Sequence, residues 1–168
     1  MECLTAALRE RLADLPEIQR GTSVLCLGAR LGAECGAFTE RGAFSVGVDL
    51  NPGEGNPFVV TGDFHDLQFA EASVDCVYTN SLDHVFDLKT VLSEINRVLK
   101  PGGLLIAEIV RGSREAGGRD PGQYESCWWE NSEDLVMEIA QSGLIPERRA
   151  SFSEPWEGIQ TVFRRVHH

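Results

Sequence analysis

Short apolar runs alternate with segments of helical periodicity along the first two thirds of the chain. A short apolar run bounded by glycine is typical of a buried strand, whereas apolar residues three or four positions apart are typical of a helix. These patterns predict strands over residues 23–27, 44–50, 58–61, 75–79 and 104–110 and helices over residues 33–41 and 88–99. Leu4, Leu8 and Leu12 predict a further amphipathic helix that ends before Pro16.

The last third of the chain has a different pattern. Residues 111–127 show little periodicity and many charged residues and glycines, so we expect a mobile loop there. A helix is predicted over residues 132–142, with Ser132 as its N-cap, and two strands follow over residues 145–152 and 159–166. Alternating strands and helices favour a mostly parallel sheet between helical layers, with the final strand pair as an antiparallel addition at its edge. The length suits a single α/β domain over residues 1–168.

Charge and cysteine content narrow the classes of function. The chain carries 15 basic and 26 acidic residues, a net charge of −11, which disfavours nucleic acid and anionic membranes as partners. Five scattered cysteines form no C-x-x-C pair, so we expect no metal site and a reducing, cytoplasmic location. The first twenty residues do not read as a signal peptide, and no stretch approaches the ~18 apolar residues that a membrane helix needs.

A glycine turn and a single carboxylate indicate a ligand. Gly28 follows the first predicted strand and precedes a helix, where the lack of a side chain lets backbone approach a ligand. Asp49 ends the second strand about twenty residues later, where a carboxylate can accept hydrogen bonds from ribose hydroxyls. A glycine that serves only the turn and an aspartate that faces solvent are the structural alternatives. Taken together, the two residues favour a nucleotide-like ligand at the carboxyl edge of a parallel sheet.

Three further segments make the pattern specific: residues 61–69, which begin Thr61-Gly-Asp-Phe64, residues 74–86, and the turn Arg97-Val-Leu-Lys-Pro-Gly-Gly103. In this order and spacing the chain resembles the class I S-adenosylmethionine-dependent methyltransferases over about residues 22–110. The resemblance implies a Rossmann-like three-layer sandwich with seven strands in the order 3-2-1-4-5-7-6, strand 7 being antiparallel. It also implies S-adenosyl-L-methionine as cofactor and a methyltransferase activity of the EC 2.1.1 type.

The resemblance assigns roles to individual positions. The glycine loop would pass under the methionine part of the cofactor, Asp49 would bind the ribose, and Asp63 would contact the adenine amino group. Phe64 would add a backbone contact, and the segment Asn80-Ser81 would lie beside the sulfonium. The cofactor-binding residues implied in this way are Gly28, Ala29, Arg30, Gly32, Glu34, Asp49, Leu50, Asp63, Phe64, Asn80 and Ser81.

The glycine loop also departs from the family pattern at two positions. Cys26 stands where the family usually has an acid that reaches the cofactor's amino end, and we expect it to be a small buried hydrophobe. Arg30 stands where the family usually has glycine. Its planar guanidinium could clamp the cofactor's carboxylate or could fill part of the pocket. Glu34, four residues on, could hold Arg30 in place or bind the amino group itself.

The methyl acceptor has fewer signals. Asp83 and His84 follow the fourth strand, where the family often places substrate-facing groups, and His84 could act as a base or simply pack against the next helix. The aromatic residues Tyr124, Trp128 and Trp129 could form a lid over the acceptor or anchor the last helix. His65 is expected to be structural or exposed.

We therefore expect methyl transfer to a heteroatom of a small-molecule acceptor by direct displacement. The acceptor site would come from residues 1–20, residues 111–130 or a second subunit, and a homodimer is one of the expected states. The alternative is a protein of this fold that binds S-adenosylmethionine without methylating, as a regulator or partner subunit. A nicotinamide dehydrogenase is disfavoured, because the spacing from Gly28 to Gly32 lacks the full G-x-G-x-x-G pattern.

Overall fold

The computed structural model describes residues 2–13 and 15–166, with side chains from residue 6 onward. Its centre is a seven-stranded sheet in the order β3-β2-β1-β4-β5-β7-β6, in which only β7 runs against its neighbours. The strands are β1 (Ser23–Leu27), β2 (Phe44–Asp49), β3 (Val59–Thr61), β4 (Val74–Thr79), β5 (Leu99–Val110), β6 (Leu144–Phe152) and β7 (Gly158–Arg165). The helices are α1 (Glu2–Ala13), α2 (Ala33–Glu40), α3 (Leu88–Val98) and α4 (Ser132–Gln141). The predicted fold class and strand order are confirmed.

Helices cover the sheet on both faces, because its central strands are apolar on both sides. On one face α1 and α2 pack against side chains that include Cys26, Tyr78 and Ile106. On the other face α3 and α4 pack against side chains that include Leu25 and Leu105. Burial on both faces explains why the predicted strand over residues 104–110 reads as a nearly continuous apolar run.

Two local predictions are wrong, and long-range contacts explain both. β5 begins at Leu99 rather than residue 104, because Leu99 pairs with Val74 and the strand continues through the Pro-Gly-Gly segment with a register shift. Ser132 is not the N-cap of α4. Asn131 holds that position, and the N–H and hydroxyl of Ser132 instead donate to the carboxylate of Glu115, at 2.7 and 2.8 Å.

The β2–β3 side of the sheet is only partly covered by other elements. Residues 50–58 and 62–73, which connect β2 to β3 and β3 to β4, are fully described and contain no helix. Apolar side chains therefore remain exposed here, among them Phe44, Leu50 and Phe58. The carboxyl ends of β1 and β2 consequently open onto solvent. Within residues 2–13 and 15–166, no helix has the length and apolar character needed to cross a membrane.

Candidate functional site

The glycine turn brings the loop after β1 against the loop after β4. Gly28 has a φ of +71°, and its N–H donates to the carbonyl of Val48 at 2.9 Å. A Cβ at this position would lie 2.5 Å from the hydroxyl oxygen of Ser81 and 2.6 Å from its Cβ. The site requires glycine both for its left-handed backbone and for the close approach of Ser81.

Asp49 joins the two loops that flank the ends of β1 and β2. Its carboxylate accepts a hydrogen bond from the backbone N–H of Arg30 at 3.1 Å and another from that of Asn51 at 2.8 Å. Each carboxylate oxygen accepts more than one hydrogen bond, so both retain capacity for a ligand hydroxyl. The carboxylate is half-buried and faces the open edge of the sheet.

The remaining predicted residues of the glycine loop take different environments. Ala29 is buried and packs over Gly47, where an added Cβ would lie 2.7 Å from the Ala29 Cβ. Gly32 is the N-cap residue of α2, with a φ of +74°. The Arg30 and Leu50 side chains are exposed at the mouth of the site. Arg30 forms no ion pair with Glu34 in the described part of the chain.

Glu34 is buried at the start of α2 and is positioned by the segment after β4. Asn80 donates its side-chain N–H to the Glu34 carboxylate at 3.3 Å, and the Ser81 hydroxyl donates to the Asn80 side-chain oxygen at 3.0 Å. Burial raises the pKa of the Glu34 carboxyl. A polar chain from Gly28 through Ser81 and Asn80 to Glu34 therefore lines one side of the site.

Cys26 lies beneath this chain and carries no charge. Its side chain is fully buried, and its Sγ lies 3.5 Å from the hydroxyl oxygen of Ser45. Burial raises the pKa of the Cys26 thiol well above its ordinary value. The prediction of a small buried hydrophobe is confirmed. Glu34, in the first turn of α2, is a buried acid close to Cys26 in the sequence.

The loop after β3 is fastened by His65. The ring Nδ1 of His65 lies 2.7 Å from the Asp63 carboxylate, and Nε2 accepts the backbone N–H groups of Phe86 and Asp87 at 3.2 Å each. The proton of the neutral ring is therefore on Nδ1. The backbone N–H of His65 and then its ring lower the pKa of Asp63. Phe64 is buried beside it. His65 is thus structural, as expected.

Asp83 and His84 lie side by side after β4. Asp83 is buried, its Oδ1 has no hydrogen-bond partner, and burial raises its pKa. The His84 Nδ1 lies 3.0 Å from the carbonyl oxygen of Tyr124, to which Nδ1–H can donate. The other ring nitrogen, Nε2, lies 3.8 Å from the Asp83 Oδ1. The two atoms are close enough to share one heteroatom, but the Oδ1 of Asp83 is closed to solvent, so a ligand would reach it only if the residues that cover it moved.

The loop over residues 111–131 closes over this pair. The backbone N–H of Cys127 donates to the carbonyl of Asp83 at 3.0 Å. Trp129 is buried and donates its indole N–H to the Val110 carbonyl at 2.9 Å, so it anchors the loop. Trp128 stacks on Trp129 with ring centroids 5.4 Å apart. The exposed Tyr124 side chain contributes neither to an anchor nor to an aromatic wall.

Sequence reasoning did not predict which charged residues of this loop contact each other. The guanidinium carbon of Arg119 lies 4.9 Å from the ring centroid of Trp128, and the guanidinium makes a two-pronged ion pair with Glu125. A separation of six residues in a loop has no periodicity, so no pattern in the sequence could have indicated this pair.

Sequence reasoning also missed a charged group in the core. Arg11 of α1 makes two hydrogen bonds of 2.8 Å each to Glu108 of β5, and Gln160 donates to the same carboxylate at 3.1 Å. A cavity of about 430 Å³ lies beside them, between α1 and the β6–β7 hairpin. The sequence did contain one indication of this buried ion pair, namely a single glutamate, Glu108, within the apolar run of β5. The described residues contain no cluster of His, Cys, Asp and Glu that could hold a metal ion.

Comparisons with known proteins agree with this geometry. A family described as "Methyltransferase domain" matches residues 25–107. An uncharacterized methyltransferase of Mycobacterium sp. (strain KMS) is 34% identical over 111 residues, which are 61% of this chain and 44% of that protein. The chain thus spans less than half the length of this relative.

Two solved structures are similar in fold. The putative methyltransferase in the Haloferax volcanii Trm112 activator complex has a TM-score of 0.79 and 21% identity, with 96% of this chain and 89% of that chain covered. The second is a Burkholderia thailandensis 1,6-didemethyltoxoflavin-N1-methyltransferase with bound 1,6-didemethyltoxoflavin and S-adenosylhomocysteine. It has a TM-score of 0.73 and 22% identity, with 97% of this chain and 76% of that chain covered.

Proposed function

Because this chain belongs to the class I S-adenosylmethionine-dependent methyltransferase family, we propose that it transfers the methyl group of S-adenosyl-L-methionine to a heteroatom of a small-molecule acceptor. One observation carries the proposal. The carboxyl edge of the sheet joins a glycine cradle at Gly28 and a ribose-type acid at Asp49 to a polar pair, Asp83 and His84, which follows Ser81 by two and three residues.

The cofactor residues fit their roles by chemistry. The approach of Ser81 to Gly28 leaves a floor of bare backbone and one hydroxyl, while Asp49 presents acceptor capacity to the ribose hydroxyls. Asp63, held in place by His65, and the backbone of Phe64 would hold the adenine, against the exposed apolar side chain of Leu50. When bound, the cofactor supplies an electrophilic methyl group on a sulfonium.

The amino-acid end of the cofactor would lie between Glu34 and Arg30. Glu34 would accept the ammonium group, since it is the buried carboxylate nearest to the glycine loop and Asn80 fixes its orientation. Arg30 would clamp the cofactor's carboxylate, because its side chain is exposed at the mouth of the site with no ion pair to an acid of the described chain.

Asp83 and His84 would bind the acceptor and take its proton. Their polar atoms lie close enough to share one heteroatom of an acceptor that enters beneath the loop over residues 111–131, and that loop would then exclude water from it. The Burkholderia neighbour, whose structure contains a small heterocycle, supports a small-molecule acceptor. The four free cysteines among the described side chains support a reducing, cytoplasmic location.

A ligand-binding experiment tests the cofactor assignment. We expect S-adenosylmethionine to raise the melting temperature, since a ligand at 100 times its dissociation constant adds about 2.7 kcal/mol of stability. Asp49→Asn should weaken binding by about tenfold or more, because two ribose hydroxyls lose a charged acceptor. Glu54→Gln, the same charge change on an exposed position of the β2–β3 loop, should leave binding unchanged.

The outcomes separate binding from catalysis. The absence of any thermal shift at millimolar cofactor would refute the proposal altogether. A shift without S-adenosylhomocysteine production from any acceptor would instead support the non-catalytic alternative. Cys26 favours that alternative to a degree, because a neutral thiol occupies a position where the family usually has an acid.

A further inference from the structure

We propose that the methyl acceptor is an amine that binds in its ammonium form between Asp83, Glu125 and the indole ring of Trp128. The inference deepens the proposed function and rests on it. We call these three side chains, with His84 and Arg119 beside them, the cation site. Four observations support it, and each concerns a different property of the site.

The first observation is an unsatisfied acid. The Asp83 side chain is 9% exposed, and its Oδ1 has no hydrogen-bond donor among the described residues. The nearest group that could be cationic is the His84 ring, at 3.8 Å, which is beyond hydrogen-bond distance. A buried carboxylate oxygen without a donor is costly, and a ligand N–H would remove that cost.

The second observation is a local deficit of positive charge. Glu125 is also nearly buried, with 10% of its side chain exposed, and its carboxylate is held by an ion pair with Arg119 and by the backbone N–H of Gly122. The site therefore holds two buried carboxyl groups and one permanent cation. When both carboxyl groups are ionised, one additional positive charge would neutralise the site.

The third observation is that the aromatic wall already binds a cation. The Arg119 guanidinium lies over the face of Trp128, within the distance at which cations and indole rings attract each other. Arg119 covers one face of the Trp128 ring and Trp129 is stacked on it as well, so an entering ammonium would take the place of the half-exposed guanidinium rather than occupy a free face. A ring that accepts this guanidinium would also accept an ammonium group or its alkyl substituents.

The fourth observation is the negative electrostatic field around the site. Residues 43–88, which include Asp83, contain eight aspartates and glutamates and no lysine or arginine. Acceptors that carry a carboxylate or phosphate would be repelled from this region, whereas cations would be attracted.

The chemical step balances for an amine. The bound ammonium gives one proton to the Asp83–His84 pair, which frees the nitrogen lone pair. The nitrogen then forms a bond to the methyl carbon while the carbon–sulfur bond breaks, and that electron pair stays on sulfur. The positive charge of the sulfonium is thereby transferred to the methylated nitrogen, and the proton on Asp83 or His84 is released to solvent.

The test compares ligands of equal shape and different charge. Benzylamine, ethanolamine and methylammonium are titrated against benzyl alcohol, ethylene glycol and methanol, with S-adenosylhomocysteine present. The readout is the indole N–H resonance of Trp128 in nitrogen–proton NMR spectra, assigned through Trp128→Phe. In the described structure this N–H is buried without a partner, so a nearby ligand should shift it. Potassium chloride at equal ionic strength controls for general attraction to an acidic surface.

We expect at least one amine to shift the Trp128 resonance at about tenfold lower concentration than its alcohol counterpart. Asp83→Asn should remove this preference, whereas Glu71→Gln, the same charge change at an exposed position, should preserve it. Equal binding of amines and alcohols, or no binding by any amine, would overturn the assignment. A normal thermal shift with S-adenosylmethionine in the same samples would show that the cofactor site survives that failure, and S-adenosylhomocysteine production from an acceptor that is not an amine would show that the proposed function does.

Discussion

At the scale of single residues, the site depends on a contact that no side chain could replace. Gly28 combines a left-handed backbone with the close approach of Ser81. Gly21 has a similar φ, +88°, but nothing lies within 4 Å of the position that its Cβ would take. Substitution of Gly21 would therefore introduce backbone strain alone, whereas substitution of Gly28 would introduce backbone strain and a steric conflict with Ser81.

Gly28→Ala should lower the free energy of unfolding by about 2–4 kcal/mol and weaken cofactor binding, because strain and overpacking add. Gly21→Ala should cost about 1 kcal/mol, from strain alone, and leave binding unchanged. Urea denaturation and calorimetric titration of both variants provide the measurement. Equal losses of stability in the two variants would show that the contact between Gly28 and Ser81 does not contribute to the cost of Gly28→Ala.

Residue types and spacing indicated only part of the site. Gly28, Asp49 and Asp63 could be predicted, because each follows a strand at a position where a parallel sheet gathers its ligand contacts. Glu125 and Arg119 could not, since their pairing depends on the conformation of a loop that has no periodicity. The environment of Asp83 was equally hidden, because burial of a polar residue after a strand depends on which distant segment covers it.

At the scale of elements, α1 is fastened to the sheet by a buried ion pair. Arg11 contacts Glu108, whose side chain is fully buried, whereas Arg9 on the same helix pairs with Glu40 in an exposed setting. Removing one member of a buried pair leaves an uncompensated charge, while exposed pairs contribute little. The two arginines of α1 therefore allow a buried ion pair and an exposed one to be compared within the same helix.

Arg11→Ala should destabilise the protein by about 3 kcal/mol, and Arg9→Ala should have little or no effect. Adding Glu108→Gln to Arg11→Ala should restore part of the loss, because the buried charge is removed and Gln160 keeps an acceptor. Chemical denaturation at neutral pH measures all three. A similar loss for both arginine variants would contradict the explanation.

Element types were predictable along most of the chain, but two boundaries were not. Helical periodicity located α3 between Leu88 and Val98 because its apolar face packs on the sheet. The Pro-Gly-Gly segment is typical of a turn, although pairing of Leu99 with Val74 extends β5 through it. Strand pairing thus outweighs the local turn preference of this segment. In the same way, a long-range contact to Glu115 outweighs the preference of Ser132 for the N-cap position.

At the scale of the whole molecule, charge is unevenly distributed. Residues 43–88 carry eight of the 26 acids and none of the 15 lysines and arginines. This region includes the proposed contacts to ribose, adenine and acceptor. A ligand with a net positive charge should therefore be favoured over a neutral one of the same shape.

S-adenosylmethionine carries one positive charge more than S-adenosylhomocysteine. Its affinity should fall several-fold between about 0.05 and about 0.5 M salt, while that of S-adenosylhomocysteine changes little, because salt screens the acidic field. Calorimetric titration of both ligands over this range provides the measurement, and a neutral osmolyte at equal osmolality is the control. Parallel salt dependence of the two ligands would argue against a role for the field.

The closure of residues 111–131 over Asp83 has a practical consequence. Of the cysteines whose side chains the structure describes, Cys26, Cys35 and Cys76 are buried, and only Cys127 is partly accessible. Its backbone N–H is the group that contacts Asp83. Burial and nearby acids raise the pKa of the Cys127 thiol, so alkylation there would be slow at neutral pH and faster in alkaline buffer. A fluorophore attached at this natural position would report changes in the surroundings of residues 111–131 when a ligand binds.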